Sequence, residues 1–270
     1  MRNTALKIAY IGDEFYGLQR QPDNPTIEGE LIRVLKKLKI IDKMEIARIR
    51  LGGRTDRGVH SLGNVISVFT EWDIHINQIN HQLHDDIVII AKAPVRFAFK
   101  PRYAQQRHYR YYFPKNTLNR INLNSINQLP SIFEGTHDFT NFTKKNPKTP
   151  VRTIDKIVIN TENSFYVDIY GESFLWNMVR KMMRVFLDVG LNNMDLKEVK
   201  SLFNPEISYN IKPLPPESLI LMDIKYDKIK FQYDDYALEM FKRRLSERVM
   251  NYENKINMTK NIVGAFDKII

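Results

Sequence analysis

Several features are absent from this 270-residue sequence, and each absence excludes a class of protein or site. The chain has no cysteine, so it forms neither disulfides nor metal sites with thiolate ligands. It has no apolar run long enough to cross a bilayer and no charged N-terminal segment followed by an apolar one. We therefore expect a cytoplasmic protein without a membrane partner. No phosphate-binding P-loop or dinucleotide-binding glycine motif is present, so the sequence predicts no nucleotide cofactor.

Positive charge is in excess. Lys and Arg number 41 against 31 Asp and Glu, which gives a formal net charge of +10, and the pI is about 9.5. This balance favours a polyanionic partner, because phosphate contacts release counterions and the field of the protein steers association. A basic protein without such a partner has the same composition, so charge alone leaves both interpretations open.

Apolar periodicity predicts strands and helices in both halves of the chain. Leu6, Ile8 and Tyr10 alternate near the start, as in a strand with one buried face. A helix is predicted to begin after Thr26, its N-cap, because the apolar residues that follow recur at helical spacing. In "RHYRYYF" the alternation assigns one face to Tyr109, Tyr111 and Phe113 and the other to His108, Arg110 and Tyr112.

Because strands and helices mix in both halves, the sequence predicts an α+β protein with two similar sheets. We place an N-terminal α+β domain at 1–104, a second α+β domain at 105–226 and a basic helical C-terminal extension at 227–270. The predicted apolar stripe of this extension consists of Leu238, Phe241, Leu245 and Val249. We expect the helix to pack against its own subunit; the alternatives are added basic surface or a contact with a partner.

The most unusual stretch is "RLGGRTDRGVHSLGNVISVF", from Arg50 to Phe69. Three glycines ahead of the second predicted strand give the backbone freedom to adopt positive φ, so that Asp56 can be held out at a cleft. The neighbouring Arg54 and Arg57 favour its charged form. A carboxylate that stays charged is a poor general acid but can serve as a nucleophile or stabilise a developing cation. The alternative is a structural turn with an ordinary Asp–Arg pair.

A second candidate element is "FLWNMVRKMMRVFLDVG", which predicts a helix from Phe174. On a helical wheel its polar and basic residues share one arc, opposite an apolar arc. The polar arc contains Asn177, Arg180, Lys181 and Arg184, and the apolar arc contains Met178, Met182, Val185 and Phe186. One face would then pack while the other offers cations to Asp56 or to phosphates. A solvated basic face is the alternative.

Taken together, "YIGDEFYGLQRQ", "TIEGEL", "GGRTDRGVHSLGNV", "RHYRYYF", "HDFTNF", "TPVRTI" and "FLWNMVRKMMR" resemble the tRNA pseudouridine synthase A family in order and spacing. The resemblance covers Ala9 to Tyr226 and leaves out the segment from Asp227 onward. Several independent segments in register are stronger evidence than one short motif. The implied fold has two pseudo-symmetric domains, each with a mixed or antiparallel sheet and helices on one face, facing a central RNA-binding cleft and assembled as a homodimer.

The resemblance also assigns roles to individual residues. Asp56 matches the catalytic aspartate, which is thought to attack the nucleoside so that uracil exchanges its N1 bond for a C5 bond. Tyr109 matches the tyrosine that stacks on the target base, and Arg180 matches the basic residue that pairs with the catalytic carboxylate. Arg54 matches an arginine associated with flipping and holding the nucleotide. The residues expected to bind RNA or flip the base are Arg20, Phe99, Arg102 and Arg184.

The implied reaction isomerises uridine at positions 38, 39 and 40 of tRNA without a cofactor. Two departures from the family pattern are Leu18, where bacterial relatives often carry Trp, and "NHQLHDD", where His81 and His84 stand three apart. We interpret the histidines as part of a loop and predict no metal site. Alternatives are a pseudouridine synthase that acts on other uridines, and a catalytically silent RNA-binding protein.

Overall fold

The computed structural model describes residues 1–42, 48–143 and 149–267, and within these ranges it has ten strands and seven α-helices. The strands are β1 (Arg2–Tyr10), β2 (Arg50–Leu51), β3 (His60–Thr70), β4 (Ile87–Pro94), β5 (Gln106–Tyr112), β6 (Gly135–Asp138), β7 (Val151–Asn160), β8 (Tyr166–Gly171), β9 (Leu219–Lys225) and β10 (Gln232–Tyr233). The helices are α1 (Ile27–Lys37), α2 (Ile76–Asn80), α3 (Leu123–Ile126), α4 (Leu129–Phe133), α5 (Met178–Gly190), α6 (Leu196–Ser201) and α7 (Asp235–Phe266).

The strands form one continuous mixed sheet in the order β10-β4-β1-β3-β9-β5-β8-β7-β6, with β2 also paired to β3. The α+β class is confirmed, and the two similar sheets that the sequence predicted are joined into one. His60 and Ser61 of β3 pair in parallel with Ile220 and Leu221 of β9, which joins the strands of the two halves edge to edge. Local alternation carries no information about a pairing between segments so far apart in the chain.

In the N-terminal half, β1 pairs antiparallel with β3 and β4, and the apolar face of α1 joins the same core. Leu6, Ile8 and Tyr10 are buried, as their alternation predicted. Helix α1 follows Thr26, whose Oγ1 accepts a hydrogen bond from the Gly29 amide at 3.1 Å. The predicted strand, helix and N-cap are therefore confirmed. The strand is buried on both faces rather than on one, since Ala5, Lys7 and Ala9 are buried as well.

In the C-terminal half, β5 lies between β8 and β9, and helix α5 packs in the core on one side of it. Tyr109 and Tyr111 are buried in this core with Met182 and Phe186 of α5. The alternating burial along β5 confirms that these tyrosines share one face.

The loop that contains Asp56, residues 52–59, is positioned by an edge of β3 that pairs with two different strands. One edge of β3 pairs with β1 along most of its length. The other edge pairs with β2 at Ser67 and Ile66 and with β9 at His60 and Ser61. The segment between β2 and β3, residues 52–59, therefore emerges where the two halves of the sheet meet.

The C-terminal segment returns to the N-terminal half. Strand β10 pairs with the edge strand β4, and Ala237, Met240 and Phe241 at the start of α7 are buried in the N-terminal core. Arg244 and Arg248 add ion pairs to Asp85 and Asp86. The first turns of α7 thus pack against the body of their own subunit.

Candidate active site

Buried hydrogen bonds hold the loop between β2 and β3 in place. Asn64 of β3 donates from Nδ2 to the Gly53 carbonyl at 2.7 Å and accepts from the Gly53 amide at 3.1 Å. The Tyr10 hydroxyl lies 3.0 Å from Asn64 Nδ2 and 2.7 Å from Thr55 Oγ1. Burial raises the pKa of Tyr10 well above its ordinary value, so the hydroxyl keeps its proton. Asp56 therefore follows a segment that is hydrogen-bonded to two strands of the sheet, through Gly53 to β3 and through Thr55 to β1.

The glycines of the loop serve two different purposes. Gly58 has a φ of +80°, the left-handed conformation expected for a turn glycine. Gly52 is needed for close approach, because a Cβ there would lie 2.8 Å from both the Tyr226 hydroxyl and the Val65 carbonyl oxygen. The expectation that all three glycines supply positive φ is therefore confirmed at Gly58 and corrected for the other two.

The carboxylate of Asp56 faces groups from the C-terminal half. Its Oδ1 accepts a hydrogen bond from Trp176 Nε1 at 2.9 Å, and its Oδ2 lies 3.5 Å from Arg180 Nη1. Arg180 is held in turn, because its Nε donates to the Leu214 carbonyl at 2.6 Å and its Nη1 donates to Asn177 Oδ1 at 3.1 Å. The Asp56 side chain is 34% exposed, so a substrate can still reach it.

Trp176 contacts Asp56 but was not among the residues predicted from sequence. We predicted a helix from Phe174, but α5 begins at Met178, and Asn177 before it has a φ of 63°. Asn tolerates this left-handed conformation better than most residues, which is the local signal for a break there. The residues before α5 therefore form a loop rather than a helical turn, and this loop brings the indole to Asp56.

Tyr109 lines the same cleft from β5 and is 7% exposed. Its ring lies 5.1 Å from the ring of Phe174 in an edge-to-face arrangement, which fixes its orientation. Burial raises the pKa of Tyr109 to about 12, with the nearby charge of Asp56 acting in the same direction and Arg107 opposing it. Tyr109 is therefore uncharged at neutral pH and offers an aromatic ring and a protonated hydroxyl.

The cleft around these residues is large and cationic. Its volume is about 1300 Å³, above the roughly 300–1,000 Å³ of common small-molecule sites. The acidic residues that line it are Glu28 and Asp56. The basic residues that line it are Arg50, Arg54, Arg57, Lys100, Arg102, Arg107 and Arg180. Such a lining attracts a polyanion to the cleft that contains the Asp56 carboxylate.

Arg107 links three segments of this cleft and was not among the predicted site residues. Its Nη2 donates to the carbonyls of Gly52 at 2.8 Å and Arg102 at 2.9 Å, and its Nη1 donates to the carbonyl of Glu172. The side chain is buried, and burying a guanidinium is costly unless its donors are paired, as they are here. Arg107 thereby fixes the spacing between the loop of Asp56 and the segment of Arg102.

Of the remaining predicted residues, two line the cleft and three lie outside its lining. Arg54 and Arg102 line the cleft, and the Arg102 guanidinium stacks on the Tyr103 ring at 4.6 Å. Phe99 lies outside the lining and packs its ring 5.2 Å from the Tyr226 ring. Two further predicted residues also lie outside the lining, and these are Arg20 and Arg184.

Lys181 was predicted to lie on the basic arc that faces the cleft, and this prediction is wrong. Its side chain is buried, and its Nζ donates to the carbonyls of Asn141 at 3.0 Å and Thr143 at 2.8 Å. Burial lowers the pKa of Lys181. The short turn at 140–143 packs against this side of α5, so Lys181 tethers the turn instead of facing the cleft.

Comparison with known proteins identifies the family. A family model described as tRNA pseudouridine synthase matches residues 131–227. A tRNA pseudouridine synthase A of Methanobrevibacter smithii is 50% identical over 100% of this chain and 99% of its own length. The corresponding protein of Methanothermobacter thermautotrophicus is 45% identical over 93% of this chain and 92% of its own length. The chain belongs to the tRNA pseudouridine synthase A family.

Membership in the tRNA pseudouridine synthase A family makes this chain an isomerase that forms pseudouridine in tRNA. Among solved structures, it is similar to a chain of an archaeal box H/ACA sRNP Nop10-Cbf5 complex, with a TM-score of 0.30 and 12% identity over 68% of this chain and 44% of that one. This likeness is too low to support a conclusion about function.

The described residues contain no group of three His, Asp or Glu side chains that could hold a metal ion. Nδ1 of His84, in the "NHQLHDD" segment, accepts a hydrogen bond from the Asp86 amide at 3.2 Å, and its Nε2 lies 3.5 Å from Glu14.

In the part of the chain that the structure describes, no helix is both long and apolar enough to cross a membrane.

Proposed function

We propose that this enzyme isomerises uridine at positions 38, 39 and 40, in the anticodon stem-loop of tRNA, with Asp56 as the nucleophile. The observation that carries the proposal is the position of the Asp56 carboxylate. It lies at a cationic cleft, with Trp176 2.9 Å from one oxygen and Arg180 3.5 Å from the other. A carboxylate held by two donors in this way keeps one orientation, which suits nucleophilic attack.

The reaction exchanges one glycosidic bond for another. An oxygen of Asp56 attacks C1′ and the N1–C1′ bond breaks. The uracil then turns, and C5 displaces the Asp56 oxygen from C1′, so that a C5–C1′ bond forms and the carboxylate is released. The proton leaves C5 and one is gained at N1, so no atom is added or lost overall. Arg180 stabilises the carboxylate before attack, and the cationic lining stabilises negative charge on the departing uracil.

Base flipping is part of the proposal, since a base stacked in a helical stem cannot reach Asp56. Extrusion costs a few kcal/mol, and stacking on an aromatic side chain recovers part of that cost. Tyr109 lines the same cleft as Asp56, and its ring packs edge-to-face on Phe174 at 5.1 Å. We assign Tyr109 as the platform for the uracil, and we assign Arg54 and Arg102 to the phosphates that flank the flipped nucleotide.

The proposal further includes a homodimer, a cytoplasmic location and RNA contacts by Arg20, Phe99 and Arg184. Support for the dimer and for these contacts comes from the family pattern. Support for the location comes from the tRNA substrate. Because Arg20, Phe99 and Arg184 lie outside the lining of the cleft, we assign them to tRNA segments beyond the target nucleotide.

The test is to incubate the purified protein with unmodified tRNA in the presence of a chelator, and to map pseudouridine by carbodiimide treatment and primer extension. Stops confined to positions 38 to 40 support the full proposal. Stops elsewhere retain the chemistry and replace the target. Tight tRNA binding without any stop would reject the catalytic role and favour a silent RNA-binding protein.

A further inference from the structure

Tyr103 presents an exposed aromatic ring at the rim of the cationic cleft. It is 62% exposed, whereas Tyr109 inside the cleft is 7% exposed. The adjacent residue, Arg102, belongs to the lining of the cleft. Arg107 Nη2 donates to the Arg102 carbonyl at 2.9 Å and to the Gly52 carbonyl at 2.8 Å. The segment that carries Tyr103 therefore lies against the loop between β2 and β3.

This segment, residues 97–103, is held to the body through its backbone. Four of its carbonyls accept hydrogen bonds from distant side chains, at distances of 2.6 to 3.4 Å. The donors are Arg50, Tyr226 and Arg107, and the acceptors are the carbonyls of Phe97, Phe99, Pro101 and Arg102. The Tyr103 amide donates to the Lys100 carbonyl at 3.0 Å and closes a turn. Because the segment is already ordered, RNA that binds to the ring does not have to order it.

Two cations of the same segment contact the Tyr103 ring. The guanidinium carbon of Arg102 lies 4.6 Å from the ring centre, and its Nη2 donates to the Tyr103 hydroxyl at 2.8 Å. Lys100 Nζ lies 6.0 Å from the ring centre. Residues 96–103 include Arg96 as a third basic residue and contain no Asp or Glu. An aromatic ring among cations suits a nucleotide, since the base stacks on the ring while the phosphate meets the cations.

Base flipping supplies a base for such a ring. When the target uridine leaves its stack, the neighbouring base loses a stacking partner and exposes one face to water. In the proposed mechanism the buried Tyr109 takes the target uracil itself. A second aromatic ring at the rim can cover the exposed face of the neighbour, and it can do so for any base, because every base has such a face.

We propose that Tyr103 is a second stacking site, which receives the base next to the flipped uridine while Arg102 binds a flanking phosphate. This inference rests on the proposed flipping of the target base. Tyr103 is a positioning residue, because it holds the RNA strand at the rim and takes no part in the bond exchange. The contact adds affinity without reading the sequence beside the target.

The first test measures the Kd for unmodified tRNA by filter binding, in an Asp56→Asn background that leaves the RNA unconverted. Tyr103→Leu should raise Kd about ten-fold, the loss of one base stack, and Tyr103→Phe should change it less than about two-fold. Tyr236, which is 54% exposed on α7, provides the control, and Tyr236→Leu should leave Kd unchanged. An unchanged Kd for Tyr103→Leu would reject the proposal.

The salt dependence of binding separates stacking from charge. Tyr103→Leu removes no cation, so the slope of log K against log salt should stay at the value of the unaltered ring, whereas Arg102→Ala should lower it. If Tyr103→Leu lowers the slope as much as Arg102→Ala does, the ring only positions Arg102 and the proposal is wrong. Light scattering should give Tyr103→Leu an unchanged mass. A smaller mass would assign the ring to a contact between subunits instead.

An abasic nucleotide identifies the stacked base. Two tRNAs with a single target uridine carry the abasic nucleotide on its 5′ side or on its 3′ side. For one of them, Tyr103→Leu and the unaltered ring should bind equally, because the base that stacks on the ring is missing. Weaker binding of Tyr103→Leu to both would show that the ring contacts no adjacent base. Pseudouridine mapped outside positions 38 to 40 would reject the proposed target but leave this comparison valid.

Discussion

The indole Nε1 of Trp176 donates a hydrogen bond to Oδ1 of Asp56 at 2.9 Å, although 120 positions separate the two residues. Asp56 follows β2 in the N-terminal half, and Trp176 precedes α5 in the C-terminal half. The pairing of β3 with β9 holds the two halves together. The site is therefore formed by tertiary structure, and neither half contains it alone.

Replacing Asp56 by Asn should abolish product while preserving tRNA binding. The amide keeps the size of the side chain but removes the proposed nucleophile, and losses on removing a nucleophile are about 10⁴-fold or more in kcat. The measurement is single-turnover pseudouridine formation together with a filter-binding Kd. Asp227→Asn, at a side chain that is 75% exposed, is the control and should behave like the unaltered enzyme. Pseudouridine formed at a normal rate by Asp56→Asn would remove Asp56 from the mechanism.

Replacing Trp176 by Phe should lower kcat by about 10-fold and leave KM nearly unchanged. A hydrogen bond to a charged group contributes about 1.5–3 kcal/mol, and here it holds the carboxylate that we propose as the nucleophile. The chain has one other tryptophan, Trp72, which is 71% exposed, so Trp72→Phe is the matched control. An unchanged kcat would mean that the indole does not orient Asp56 during the reaction. A rise in KM alone would indicate that Trp176 contacts the RNA instead.

Replacing Arg102 by Ala should weaken tRNA binding and make it less dependent on salt. Arg102 is exposed and lines the cationic cleft, so its loss removes about one phosphate contact. The slope of log K against log salt should fall by about 0.7–0.9. Lys200, which is exposed on α6 and outside the lining, provides the control. Equal slopes for the two variants would place Arg102 outside the RNA interface.

Because of Asp168, the free energy of unfolding should fall as the pH is lowered into the acid range. Arg110 donates to both of its oxygens at 2.8 Å, and His108 lies 2.8 Å from Oδ1. Burial by itself would raise the pKa of Asp168, but the hydrogen bonds and charges of His108 and Arg110 outweigh burial and lower it. Because the folded-state pKa lies below the ordinary value of 3.8, the stabilisation is present above that value and is lost as the pH falls through the folded-state pKa.

We therefore expect Asp168→Asn to lower the free energy of unfolding by about 3 kcal/mol at pH 7, since it leaves a largely buried guanidinium without its partner. The difference from the unaltered chain should shrink as the pH falls below 3.8, because Asp168 of the unfolded chain then takes up a proton and the folded carboxylate loses its advantage. Urea unfolding at pH 7 and pH 3 measures both values, with Asp227→Asn as the reference. A difference that is equal at the two pH values would show that the carboxylate charge is not the cause.

Much of the local structure could be predicted from sequence because it depends on near neighbours. Alternation along β5 identified the buried face of Tyr109, and the residues around Thr26 identified the start of α1. The same reasoning was wrong at Phe174, where apolar spacing continued but the backbone at Asn177 is left-handed. It was also wrong for Lys181, which was predicted to face the cleft. Its position on the polar arc did not indicate that the turn at 140–143 packs over it.

By itself, the sequence determined the family to which this protein belongs and the side chains it has available for chemistry. The "GRTD" segment supplied one carboxylate among cations, and the patterns around Tyr109 and Arg180 indicated the residues that accompany it. Tertiary structure alone decided that β3 joins β9, that Trp176 reaches Asp56, and that Arg107 spaces the loops. The physical reason is that strands and helices follow from spacings of two to four residues, whereas these contacts depend on how distant segments pack into one core.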